Sequence, residues 1–197
     1  MTPFARRDGT SFVELVFTLG LVSTIVGLSL PVLTHGVEGA RSVSAARYLA
    51  FQLRLARVSA VARGRTVGLR FEPDGTGFWT MTPYVDGDGD GVRTADIRSA
   101  VDLPIGPPDR LGDKFPGMRF GIMAGVRGIT GDALDPGDPL TIGRSDIVSF
   151  TPRGTASSGT LYLHGRRTHQ YAVRILGVTG RVRLLAYSFA SGRWTAR

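Results

Sequence analysis

The sequence contains no cysteine and only one lysine, Lys114, among its 197 residues. Without cysteine the chain cannot form a disulfide, a thiolate metal site or a cysteine nucleophile, so packing alone must hold the fold together. The absence of disulfides does not exclude an extracytoplasmic location. Nearly all of the positive charge is carried by arginine, and the net charge is +8.

Acidic residues are missing from the last quarter of the chain. They concentrate between Glu72 and Asp138, and none follows Asp146. Eight arginines lie in that acid-free stretch: Arg153, Arg166, Arg167, Arg174, Arg181, Arg183, Arg193 and Arg197. This imbalance predicts a surface that attracts anionic partners.

Common catalytic patterns are also missing. The three histidines, His35, His164 and His169, form no HExxH pair, and Ser157 and Ser158 lie outside a G-x-S-x-G pattern. A signal-anchored periplasmic enzyme is therefore the least supported function, and we expect no enzymatic activity.

A long apolar run is present near the start of the chain. As an α-helix, residues 10–30 would span roughly 30 Å, which is enough to cross the hydrocarbon core of a bilayer. Arg6 and Arg7 precede the run and predict a cytoplasmic start, with the rest of the chain crossing the membrane once and outward. A cleaved secretory signal is the rival interpretation, but it would carry its cleavage site after a shorter run, whereas Gly9 precedes this one. Pro31, at the far edge, is expected to kink or interrupt the helix.

Glu14 is an unusual residue within this run. A carboxylate at bilayer depth costs about 2.5–3.5 kcal/mol on insertion scales and normally has a partner. If the chain were cut after Gly9, Thr10 would carry a new α-amino group. The amine of a neighbouring copy could then neutralise Glu14 when helices stack side by side. An acid lying near the bilayer interface is the simpler alternative.

The stretch GTSFVEL, with Gly9 before the cut and Glu14 as the fifth residue after it, resembles the processing motif of type IV pilins and type II secretion pseudopilins. The basic leader MTPFARRDG and Pro31 fit the same pattern. The resemblance implies cleavage between Gly9 and Thr10 by the prepilin peptidase and N-methylation of Thr10. The family usually has phenylalanine where this chain has Thr10.

Three further patterns appear in order: Phe150, Pro152 and Gly154 as F-x-P-x-G, then GTL at 159–161, then GRVR at 180–183. They resemble the GspH/FimT branch of the family. The resemblance implies a pilin-like α+β fold, with a long N-terminal helix packed on antiparallel sheets. It also implies a minor pseudopilin of a type II secretion pseudopilus, with other pseudopilins and the prepilin peptidase/N-methyltransferase as partners. A FimT-like minor pilin that binds DNA for uptake is the alternative, and the sequence does not separate the two.

The resemblance and the periodicity of the sequence together predict the organisation of the chain. Residues 1–9 are expected to be a leader, 10–31 a transmembrane helix, 32–64 an amphipathic continuation ending at Gly64, and 65–197 a β-rich periplasmic domain. The helical stripe comprises Ala46, Leu49, Leu53, Ala56 and Ala60. The segments TVGLRFEP and GFWTMTPYV predict a hairpin, and four glycine-punctuated strands are predicted from Ile147 onward. Residues 98–145 are predicted to form a long loop or insertion.

An acidic stretch suggests calcium. Asp86, Asp88 and Asp90 occupy positions 1, 3 and 5 of an EF-hand-like loop, with Gly91 at position 6. Position 12 is not glutamate, and the nearest acid to it is Asp96. Calcium binding by these four carboxylates and a solvated Asp-Gly turn both remain open.

Two arginines could bind nucleic acid. Alternation along a strand places Arg181 and Arg183 on one face, where paired guanidinium groups suit phosphate oxygens. With the acid-free tail they predict a DNA-binding site. Solvated arginines after a turn at Gly180 are the alternative.

Overall fold

The computed structural model describes residues 11–74, 78–166 and 169–197, with side chains left undescribed at 27–36. The chain divides into two compact units, Met1–Gly39 and Ala40–Arg197. The boundary between them lies within the first helix, α1, which extends over Phe12–Arg63. Helix α1 continues through Pro31, so this proline does not end the helix.

Helix α1 ends where the sequence predicts. Gly64 has φ +64°, the left-handed conformation that glycine adopts with little strain, and its N–H donates to the Val61 carbonyl oxygen at 3.3 Å. The five residues of the predicted apolar stripe are buried, which confirms the helical periodicity. Their small and branched side chains bring the helix close to the strands that follow.

After α1, the described part of the chain contains eleven strands and two short helices, joined by turns and irregular segments. The helices are α2 Thr94–Arg98 and α3 Leu111–Lys114. The strands are β1 Val67–Pro73, β2 Trp79–Val85, β3 Leu103–Pro104, β4 Asp109–Arg110, β5 Arg119–Phe120, β6 Leu140–Thr141, β7 Ile147–Phe150, β8 Gly159–His164, β9 Gln170–Leu176, β10 Arg181–Ser188 and β11 Arg193–Ala196. The region 98–145 is mostly irregular and carries α3 with four two-residue strands.

The strands form two antiparallel sheets. In the first the order is β3-β2-β1-β7, and β4 also pairs with β2. In the second the order is β11-β10-β9-β8-β5, and β6 also pairs with β8. The predicted β1–β2 hairpin and the four predicted strands β7 to β10 are confirmed, and β11 is an additional edge strand.

The core of the unit Ala40–Arg197 is one apolar cluster between the helix and both sheets. Leu49 and Leu53 of α1 are fully buried in it, together with Phe71, Phe150 and Ile175 from the strands. Burying one such side chain contributes about 1.5–3 kcal/mol. The predicted α+β class, a long N-terminal helix packed on antiparallel sheets, is confirmed.

Candidate functional site

The start of α1 places Glu14 in the first helical turn, with its side chain exposed. Ser11 and Glu14 have the S-x-x-E spacing of a capping box, and a carboxylate there is also favoured by the helix dipole. The sequence-predicted cleavage residues, Gly9 and Thr10, lie outside the described residues. The pairing of Glu14 with an amine therefore stays a prediction.

The first turns of α1 expose apolar side chains on every side. Between Phe12 and Val26 ten large apolar residues are at least half exposed. The hydroxyl groups of Thr18 and Thr24 donate to backbone carbonyl oxygens of their own helix, at 3.0 and 2.8 Å. A helix that is apolar all round is stable only when other apolar groups cover it. In the part of the chain that the structure describes, no helical stretch is long and apolar enough to cross a membrane.

The acidic loop after β2 is built around two buried carboxylates. Asp86 accepts hydrogen bonds from the N–H groups of Gly89 and Gly91, at 2.7 and 3.0 Å. Asp102 accepts from those of Gly87 and Arg93, at 3.0 and 2.9 Å. Asp102 lies beyond the EF-hand-like window, so only its position in the folded loop reveals its role. These two carboxylates hold the backbone of the loop in place.

The four predicted calcium ligands do not converge on one point. Asp88, Asp90 and Asp96 form one group, whereas Asp86 groups with Asp88 and Asp102, with ligand atoms in each group within 4.8 Å of one another. Calcium binding here stays a prediction.

The pKa of Asp90, one of the exposed carboxylates of this loop, is raised. Desolvation, together with the carboxylates of Asp88 and Asp96, raises the pKa of Asp90 although the Arg93 guanidinium acts to lower it. Asp90 also forms an ion pair with Arg93, which supplies a positive charge to the acidic loop without a metal.

The structure places Arg181 and Arg183 on the exposed face of β10, while Leu184 points into the core. Arg174 of β9 is the cross-strand partner of Arg183. Three arginines therefore lie on two neighbouring strands. Their contact with nucleic acid stays a prediction.

The glycines of the F-x-P-x-G and G-R-x-R patterns meet at one point. Both have positive φ, +81° for Gly154 and +57° for Gly180. A Cβ added to Gly180 would lie 2.2 Å from the Gly154 carbonyl oxygen and 3.0 Å from Nε of Arg57. Two turns and helix α1 thus approach each other too closely for a side chain, which gives these glycines a structural role.

A polar network that the sequence analysis does not predict joins α1 to β4 and α3. The Tyr48 hydroxyl donates to Asp109, and Lys114 pairs with the same carboxylate. Gln52 donates to the Tyr48 hydroxyl at 2.5 Å. Partial burial acts to raise the pKa of Asp109, but the hydrogen bonds from Lys114 and Tyr48 lower it overall. Desolvation acts to lower the pKa of Lys114, but Asp109 and Tyr48 raise it overall.

A cavity of about 460 Å³ opens beside this network, between α1 and the first sheet. Leu69 and Met81 form the sheet side, and Pro107 and Pro108 form one edge. Leu55 of α1 also borders the cavity. Its size lies in the range of about 300–1,000 Å³ typical of ligand pockets.

Ser157, Ser158 and His164 contact backbone groups. The Ser157 hydroxyl accepts the N–H of Ser149 at 3.2 Å, and the Ser158 hydroxyl accepts that of Gly177 at 3.1 Å. The ring Nδ1 of His164 lies 2.9 Å from the Gly165 carbonyl oxygen. These contacts give all three side chains roles in holding the strand ends.

Two comparisons with known proteins give partial matches. The chain is 37% identical over 80 residues to the pilin-like protein PilA1 of Thermus thermophilus, a match that covers 41% of this chain and 49% of that protein. It therefore spans about half the length of the curated relative that it matches. The minor pseudopilin EpsH of the Vibrio cholerae Type 2 Secretion System matches at 18% identity with a TM-score of 0.43, over 74% of this chain and 96% of EpsH.

The family comparison covers more of the chain. The profile of the family described as Type II transport protein GspH matches residues 45–179. This range begins in the buried stripe of α1 and includes the acidic loop, the F-x-P-x-G pattern and the β8–β9 hairpin of the second sheet. From the match over more than half of its length we conclude that this chain belongs to the GspH family of type II transport proteins.

Proposed function

We propose that this protein is a minor pseudopilin, a non-enzymatic structural subunit of the periplasmic pseudopilus of a type II secretion system. Membership of the GspH family supports the assignment. The observation that carries it is the first part of α1, where apolar side chains are exposed on all sides from Phe12 to Val26. Such a helix needs a bilayer first and neighbouring helices afterwards.

The processing and location follow from the same proposal. The prepilin peptidase cuts between Gly9 and Thr10, and Thr10 is then N-methylated. Residues 10–31 hold the subunit in the inner membrane as a single span, and the rest of the chain lies in the periplasm. On assembly the Thr10 amine of one subunit neutralises Glu14 of the next, which fixes the register of the helices. Other pseudopilins of the filament are the partners.

Glu14→Ala tests this assembly step, with Glu38→Ala as its control because Glu38 is the other acid of α1. In cells that carry the secretion system, we expect Glu14→Ala to be cleaved normally but to be lost from the pseudopilus, as measured by its crosslinking to the other pseudopilins. Glu38→Ala should be incorporated as the wild type is. Normal incorporation of Glu14→Ala would contradict the register role.

A FimT-like minor pilin that binds DNA is a second candidate. It is favoured by the shared exposed face of Arg181 and Arg183 and by Arg174 across from Arg183. The test is an electrophoretic mobility shift of the detergent-solubilised full chain at several salt concentrations. DNA affinity should fall steeply with salt, and the double variant Arg181→Ala, Arg183→Ala should lose it.

The control for the DNA experiment is the double variant Arg98→Ala, Arg144→Ala, which removes the same charge from two other exposed sites. Equal loss in both double variants would indicate a general charge effect. Unchanged DNA binding after the Arg181 and Arg183 replacements would exclude this site.

A further inference from the structure

Helix α1 carries a second apolar stripe that the core does not use. Within the unit Ala40–Arg197, Phe51, Leu55 and Val58 are 55%, 51% and 63% exposed. Their spacing of four and three residues places them on one face of the helix, with Ala62 continuing it. Single exposed apolar residues are ordinary, but a stripe at helical spacing indicates a surface that another molecule covers.

This stripe, hereafter the outward stripe, has a different neighbour on each side. On one side Leu55 also borders the cavity of about 460 Å³ beneath the Pro107–Pro108 segment. On the other side are Arg47 and Arg54, which at 3.6 residues per turn lie within about 60° of Phe51. Both arginines are exposed. The surface therefore combines apolar contact area, a recess and a positively charged edge.

The charge of the helix indicates which partner fits. From Ala40 to Arg63 the sequence has five arginines and no acid, and no acid occurs between Glu38 and Glu72. Packing this face against the same face of a second copy would bring arginines together, and like charges oppose association. DNA would satisfy the arginines but would leave Phe51 and Val58 without apolar contacts. A protein segment with apolar residues and carboxylates satisfies both.

We propose that the outward stripe is the docking surface for an amphipathic α-helix of a different subunit of the same filament. That helix packs its apolar residues on Phe51, Leu55 and Val58, extends one of them towards the cavity, and places carboxylates against Arg47 and Arg54. Ridges of one helix fit the grooves of another at such a stripe. The proposal rests on the proposed filament function and names the chemistry of the neighbour.

The absence of cysteine makes the test direct, because one introduced cysteine is the only thiol of the chain. Phe51→Cys reports on the outward stripe. Phe189→Cys is the matched control, since Phe189 is 43% exposed in the turn between β10 and β11. Leu19→Cys, in the exposed apolar start of α1, reports on filament assembly itself. Each full-length variant is labelled with benzophenone maleimide in membranes from cells with the intact system and is then irradiated.

The expected result is an adduct of Phe51→Cys with a helix of another pilin-like subunit, at least fivefold above the yield from Phe189→Cys. Adding Arg47→Glu and Arg54→Glu should reduce that yield at least fivefold. Adding Arg98→Glu and Arg144→Glu should leave it unchanged. In the variant that carries Arg47→Glu and Arg54→Glu, replacing the partner's carboxylates by arginine should restore the yield of the adduct.

The other outcomes overturn the proposal in distinguishable ways. An adduct with a second copy of this chain, with nucleic acid or with a protein outside the filament gives the stripe another occupant. If Phe51→Cys gives no adduct while Leu19→Cys is crosslinked to filament subunits, the outward stripe is not a docking surface. The proposed function is then unaffected. No adduct from Phe51→Cys or Leu19→Cys contradicts the proposed function, and this proposal fails with it.

Discussion

The inward and outward faces of helix α1 between Ala40 and Arg63 are both apolar but differ in burial and in the size of their side chains. The inward face combines leucines with small alanines, all buried against the sheets: Ala45, Ala46, Leu49, Leu53, Ala56 and Ala60. The outward face has the larger Phe51, Leu55 and Val58 beside arginines, and it is exposed. Close approach to the sheets requires small residues on the inward face. The fold places no such limit on the outward face, so its residues can serve a partner.

The largest difference between the two faces should appear when leucine is truncated on each of them. Leu53→Ala removes a fully buried side chain and should lower the free energy of unfolding by about 2–5 kcal/mol. Leu55→Ala, two residues later but exposed, should change it by less than about 0.5 kcal/mol. Denaturant unfolding of both full-length variants measures the difference. Equal losses would mean that the outward face also supports the fold.

A second test concerns the place where the turns at Gly154 and Gly180 meet beside Arg57 of α1. Gly180→Ala should destabilise the chain by about 2 kcal/mol, because its Cβ would collide with the Gly154 carbonyl oxygen at a positive φ. Gly192→Ala is the control. Its φ of +65° is similar, but the nearest atom to its Cβ would be 3.8 Å away. Thermal unfolding measures the decrease in Tm of each variant. Because both positions have a similar positive φ, an equal decrease in Tm would mean that the collision contributes nothing.

The polar network at the edge of α1 should make stability depend on pH. Because the folded pKa of Asp109 lies below its ordinary value of 3.8, its contribution is present above pH 3.8 and is lost as pH falls through the folded pKa. Asp109→Asn should therefore cost about 1.5 kcal/mol at pH 7 and much less at pH 2. The pKa of Lys114 is raised in the folded state. The contribution of its ammonium group to stability is therefore lost as pH rises through that folded pKa.

The control for this pH dependence is Asp113→Asn, because the Asp113 side chain is exposed and lies 3.8 Å from Arg110. Its cost should be near zero at every pH. Urea unfolding of the wild type and both variants at pH 7, 4 and 2 tests the sign. A cost for Asp109→Asn that grows towards low pH would contradict the lowered pKa.

The smallest effect is expected for the arginines beside the outward stripe. Arg54→Ala should change stability by less than about 0.5 kcal/mol, because its bond to the Val182 carbonyl oxygen is long at 3.5 Å. Arg57→Ala should cost more, since the Arg57 guanidinium lies against the turns at Gly154 and Gly180. The pair is compared by chemical denaturation. If the two variants are equal, Arg57 packing does not contribute to the fold.

Much of this fold could be predicted because the signals are local. The inward stripe repeats every three or four residues, and β1, β2 and β7 to β10 alternate or are bounded by glycine. β11 was not predicted, because Trp194 is its single large apolar residue. Its place is set by pairing with β10. The two-residue strands β3 to β6 likewise take their conformation from the longer strands that they join.

The site residues show the same division. Glu14 and the two β10 arginines could be named as candidates because the patterns that single them out are local, and their roles stay predictions. Asp102 and the Tyr48–Asp109 contact were not found, because their partners are brought together only by the fold: Asp109 lies 61 residues after Tyr48. The outward stripe was missed for another reason. Arg47 and Arg54 lie at its edge, so the sequence pattern of this helix indicates only the buried face as apolar.

The close contact of Arg57 with Gly180 has a consequence for how the chain is made. Synthesis finishes the helix more than 100 residues before the β9–β10 turn that it meets. The β8–β9 and β9–β10 hairpins close short loops, whereas the contact of the helix with the β9–β10 turn closes a loop of more than 100 residues. Until β8, β9 and β10 are complete, Leu49 and Leu53 lack part of the apolar cluster that buries them. A nascent subunit therefore exposes apolar residues on both the inward and the outward face of the helix. When the last strands are complete the inward face is buried, and only the outward stripe stays available to a filament partner.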